Sequence, residues 1–146
     1  MMGSAAAAMI VLAAAGFVGV DNPSTAKNNW MLHCQGCHLP DGSGSADGAP
    51  SMVGIVSRFL SVDGGREYVG KVPGVANAGL DDTALAELVN WMLQTYDKEH
   101  LPANFKPYTA QEIGALRERP YIVEAADMRQ QLLEKMRSME AAGENR

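Results

Sequence analysis

Residues 33–38 read HCQGCH, and this short stretch holds both cysteines of the chain, Cys34 and Cys37. Cys-x-x-Cys followed at once by a histidine, here His38, is the spacing by which haem is attached covalently to a polypeptide. Two thiols at this spacing reach the two vinyl groups along one edge of the porphyrin. The next residue then places an imidazole beneath the ring with one nitrogen on the iron. The motif predicts one haem c, bound through Cys34, Cys37 and His38, with His38 as metal ligand. Other chemistries fit less well. A thioredoxin-like dithiol needs a βαβ setting, and no strand of convincing length is readable. A zinc site needs four ligands in a tetrahedron; His33, Cys34, Cys37 and His38 lie too close along the chain to supply one without strain. A lone structural disulfide is the remaining alternative. His33 reads as a solvent-facing helix residue.

Upstream of the motif, Asn22-Pro23-Ser24-Thr25 carries capping side chains and a proline suited to a first helical turn. A helix is predicted from there to about His38, with Ala26, Trp30, Met31 and Cys34 on one face. Downstream, residues 41–50 (DGSGSADGAP) form a loop. One short helix is expected between Ser51 and Tyr68, then a turn at Asp63-Gly64-Gly65. Lys71 to Gly79 reads as a loop because Pro73-Gly74 interrupts regular structure. The clearest helix spans about Leu80 to Tyr96. Its apolar stripe is Leu85, Leu88, Val89, Met92 and Leu93, and acidic residues occupy its first turn. After a loop over residues 97–108, Thr109-Ala110-Gln111-Glu112 has the form of a capping box for a helix to about Arg117. Pro120 opens a long helix carrying Ile122, Ala126, Met128, Leu132, Leu133, Met136 and Met139, expected to fray from about Ser138. The predicted class is all-α.

The chain has 146 residues, room for one domain of ordinary size, with 47% hydrophobic and 20% charged residues. That balance excludes a disordered chain. A formal charge of −5 argues against a nucleic-acid partner. The charge is uneven: Asp21 to Leu116 carries eleven acidic against six basic residues, whereas Arg117 to Arg146 is balanced at six of each. Residues 5–20 (AAAAMIVLAAAGFVGV) are uncharged. They fall short of the roughly 20 residues of a membrane span and fit the apolar region of a secretory signal. The expected organisation is therefore a signal peptide or N-terminal membrane anchor over 1–20, a haem domain over 21–98, and a C-terminal helical extension over 99–146. A periplasmic location follows, either soluble after cleavage or tethered to the inner membrane.

From about Ser24 to Tyr96 the chain resembles the class I cytochrome c family. The resemblance rests on a first helix ending in CQGCH, a glycine-rich loop containing Ala49-Pro50, a ligand loop, and the amphipathic helix LDDTALAELVNWMLQ with Trp91 at an aromatic position. It implies a cytochrome c-like helical domain around one covalent haem, in which first and last helices cross and Trp30 can meet Trp91. It also implies a methionine on the far side of the iron, from a Pro-Gly-x-x-Met loop. Here that loop reads Pro73-Gly74-Val75-Ala76-Asn77, so Asn77 stands where methionine is expected. Met92, Met52, His100, Asn77 itself or an open position are the alternatives, and axial-ligand identity sets both potential and ligand binding.

No paired carboxylates and no nucleophile triad are present, so no catalytic residue is assigned. The implied function is that of a monohaem electron carrier. It would pass single electrons between a dehydrogenase and an oxidase or another cytochrome, possibly as a dedicated subunit of a redox complex. The acidic middle calls for a redox partner with a basic or apolar patch. The alternative is a haem sensor or peroxidase-like protein with an open sixth position. The tail reads as a strap over the haem domain, anchored by Phe105, Tyr108 and Tyr121, or as a docking helix for a partner.

Overall fold

The computed structural model describes residues 16–46 and 48–144; the predicted leader lies outside the described residues up to position 15. Among the described residues every regular element is helical, as the class reading requires. Helix α1 spans Pro23–His33, capped by the Asn22 side chain, which accepts from the Thr25 amide at 3.0 Å. The predicted single helix to His38 is interrupted: Cys34 leaves helical geometry at φ −125°, and a four-residue turn, α2 (Gln35–His38), completes the motif. Leu39 then takes φ 58°, a conformation L side chains adopt rarely, which turns the chain sharply away from His38.

The region from Ser51 onward departs from its sequence reading. A 3-10 turn (Ser57–Ser61) is followed by α3 (Gly65–Lys71) and the short α4 (Pro73–Ala76). The expected turn at Gly64 is the entry to α3, with Gly64 at φ 83°. Pro73 does not abolish regular structure; it occupies the first helical position of α4, where its fixed φ is suitable and its missing N–H costs nothing.

Helix α5 (Asp82–Tyr96) matches the prediction, with Asp81 capping it through the Ala84 amide at 2.9 Å. It crosses α1. The Trp30 and Trp91 rings meet at 6.3 Å, and Tyr96 packs against both. At its C-terminus the buried Asp97 accepts from the Ser57 amide at 2.8 Å, while Ser57 Oγ donates to the Leu93 carbonyl. Two buried polar residues thereby fasten the 3-10 turn to α5.

Phe17 to Val20 already belong to this packing. Phe17 lies 6.4 Å from the Trp91 ring, and Gln94 both accepts from the Val18 amide and donates to its carbonyl. Asn90, 1% exposed, donates to the carbonyls of Gly19 and Tyr108 and accepts from the Tyr108 amide. Tyr108 donates its hydroxyl to the Arg66 carbonyl at 2.7 Å.

Helix α6 (Ala110–Arg117) is capped by Thr109. The other half of the expected box is diverted, because Arg66 donates to both oxygens of Glu112 at 2.5 and 2.7 Å. A forked charge-assisted pair outcompetes the local cap. Helix α7 (Ala125–Glu144) starts five residues after Pro120, so Ile122 precedes it and is 79% exposed. Glu124 explains the late start, since its carboxylate accepts from the amides of Ile122 and Val123 and holds them in a turn. The helix packs on the 3-10 turn and α3 through Leu132 and Met136. It runs past Ser138 to Glu144, with Glu140 paired to Arg58.

Candidate haem site

Between these elements lies a cavity of about 550 Å³, within the roughly 300–1,000 Å³ usual for ligand sites. One wall is the attachment motif, with Cys34, Cys37 and His38. The wall formed by α3 and α4 brings Tyr68, Val69, Val72, Pro73, Gly74 and Val75, and Pro50 and Met52 come from the loop after the motif. Helix α7 adds Ala125, Ala126, Arg129 and Gln130. The predicted trio Cys34, Cys37 and His38 is thus brought to one cavity. His33 stands exposed at its rim.

The chemistry of this wall fits a covalently held porphyrin. Both cysteines are free thiols. Burial, aided by the nearby Cys37, pushes the Cys34 thiol up to about 11, the opposite of the lowered pKa that marks a redox-active dithiol. Burial also lowers the His38 imidazole pKa, with the Pro50 carbonyl acting weakly the other way. A neutral imidazole keeps the lone pair that iron binding requires. Trp30 Nε1 and His38 Nδ1 are both buried without a hydrogen-bond partner, although buried polar atoms are nearly always paired. Both residues line the cavity, and their rings lie 5.9 Å apart. Cys34, Cys37 and His38 would hold the haem, and the apolar lining would keep water from it. Among the described residues no group of three or more His, Cys, Asp or Glu side chains is placed to hold a bare metal ion.

The candidates for the sixth iron position separate. Met52 and Met92 line the cavity, each 6% exposed. Asn77 is exposed and does not line it. His100 is also elsewhere, with Nδ1 2.5 Å from Asp97 Oδ1. The loop around Asn77 is fixed from the tail: Arg117 donates to the carbonyls of Ala76, Ala78 and Leu80 and to Asp82. Sequence reading missed Arg117, Arg129 and Gln130 because nothing in their spacing shows that the last helices return to the ligand loop and the cavity.

Two cytochromes c-552 from Thermus thermophilus are each 30% identical to this chain over 102 residues. The match takes in 58% of this chain and 78% and 69% of the two relatives. The chain belongs to the c-type cytochrome family. No family model and no solved structure matches it. Membership accounts for the pairing of the attachment motif with an all-α fold, and implies covalently bound haem c and electron transfer. In this cytochrome α7 lines the cavity beside the attachment motif, and Asn77 does not.

Proposed function

We propose that this cytochrome is an exported monohaem electron carrier serving a dehydrogenase and a downstream acceptor. The observation that carries the reading is the convergence of Cys34, Cys37 and His38 on one apolar cavity. The bound haem supplies a reversible one-electron change at iron. The chain's own residues do the rest. The two cysteines would anchor the ring, His38 would ligate its metal, and Trp30, Phe59 and Val69 would exclude water. Export is supported by the uncharged stretch at residues 5–20. No described helix is long and apolar enough to cross a membrane. The acidic residues between Asp21 and Leu116 favour a partner with a basic or apolar docking patch.

Protein matured in its native host tests the reading. Its mass should equal that of the chain plus one haem, with a reversible one-electron titration; an unmodified polypeptide overturns it. A second reading, an open sixth position that binds small ligands, is favoured by one observation: the α3–α4 wall supplies no imidazole or thioether. Rapid CO binding by the reduced protein would support that reading. A low-spin spectrum unchanged by CO would instead mean that a protein side chain fills the position, and Met52 and Met92 are the thioethers that line the cavity.

A further inference from the structure

Arg129 is the single formally charged side chain on the cavity wall among the described residues. It comes from α7, and its guanidinium carbon lies 5.9 Å from the centre of the Phe59 ring. Its charge is also felt by the phenol of Tyr68, where it opposes the effect of burial. Three other arginines drawn into the fold each have a carboxylate: Arg58 has Glu140, Arg66 has Glu112 and Arg117 has Asp82. Half-buried Arg129 has no carboxylate partner among the described residues. A guanidinium is always charged, carries five donors and accepts nothing. Beside an apolar cavity it is a site prepared for an anion.

The position of α7 identifies that anion. Cys34 and Cys37 lie on the α1–α2 side and would fix the vinyl edge of the porphyrin there. The two haem carboxylates leave the ring from the opposite edge. Helix α7 packs chiefly on the 3-10 turn and α3, not on α1 or α2. We propose that Arg129 is the cationic partner of a haem carboxylate, so that the C-terminal extension is a wall of the cofactor site and tunes its potential. The proposal rests on the haem reading. A bare carboxylate stabilises ferric over ferrous iron, the ferric state carrying the extra positive charge. Pairing it with a guanidinium cancels that preference and raises the midpoint.

The test is the midpoint potential of the full-length holoprotein and its Arg129→Lys, Arg129→Gln and Arg129→Glu variants. Lysine should hold the midpoint near that of the parent, glutamine should shift it to more negative values, and glutamate further still. A purely structural role would not give an order that follows charge. Equal midpoints in folded, haem-bearing Gln and Glu variants overturn the proposal. Protein without covalent haem overturns the site reading as well, which separates the two failures. If a variant does not fold, redox-difference infrared spectra of the parent with isotope-labelled haem carboxylates decide. A guanidinium-paired carboxylate band supports the assignment, and only solvated carboxylate bands overturn it.

Discussion

The indole of Trp30 lies 6.3 Å, centroid to centroid, from the indole of Trp91, at an interplanar angle of 43°. The contact joins α1, which leads into the attachment motif, to α5, and it is backed by Tyr96 at 4.8 Å from Trp30. Trp30 is 1% exposed and also stacks beside His38. Removing it leaves a hole at the junction of helix crossing and cofactor cavity. Trp30→Ala should therefore cost about 3–5 kcal/mol of stability, the usual range for a buried aromatic truncated to alanine. Denaturant unfolding followed by circular dichroism measures it, and a loss under about 1 kcal/mol would mean that the contact does not hold the two helices together.

Asn90 ties α5 to two segments distant from it in sequence, at Gly19 and Tyr108. Its amide donates at 3.0 Å to both Gly19 and Tyr108 carbonyls, and its oxygen accepts from the Tyr108 amide at 2.8 Å. Asn90→Ala strands these backbone groups in a site that water scarcely reaches. Each unsatisfied buried group costs about 1–3 kcal/mol, so a loss of about 2–4 kcal/mol is expected. Hydrogen exchange should show the Tyr108 amide losing protection first. An unchanged Tyr108 exchange rate would contradict the assignment.

Local signals made part of this molecule legible in the sequence. The cap of α1 and the apolar stripe of α5 each depend on residues within a few turns of one another, and both stand where expected. The three residues of the attachment motif likewise face one cavity. The errors share a different cause. Glu112 reads as a local cap partner, but Arg66, distant in sequence, takes its carboxylate. Pro73 reads as an interruption, but packing lets it start α4. Arg129 and Arg117 carry no signal, because their meaning depends on the return of the tail to the ligand loop and cavity. Long-range contacts of this kind have no periodicity in the chain.

Gly65 begins the helix that sequence reading missed, and it does so where no side chain fits. A Cβ there would collide with the backbone carbonyl of Phe59, which cannot swing aside as a side-chain tip can. Gly65→Ala should destabilise the fold by about 1–3 kcal/mol, as overpacking typically does. Gly143, helical with open space around its position, is the control. Gly143→Ala should be neutral or stabilise by up to about 1 kcal/mol. Thermal melting of both variants checks the pair. Equal effects would show that the approach of Phe59 to Gly65 does not restrict that position.

All four tyrosines are held above the ordinary phenol pKa of 10.0, with burial the leading cause in each case. Tyr96 is raised to about 12, and Tyr108, enclosed beneath Asn90 and Arg66, is driven furthest. A raised acid pKa means that the folded state holds its proton more tightly than the unfolded chain. The resulting stability is fully present below pH 10 and is lost as pH climbs from there toward the folded-state values. The protein should therefore unfold on the alkaline side, with tyrosinate absorbance rising together with the loss of helical circular dichroism. If the tyrosines ionise near pH 10 while the helices remain intact, burial is not what holds their protons.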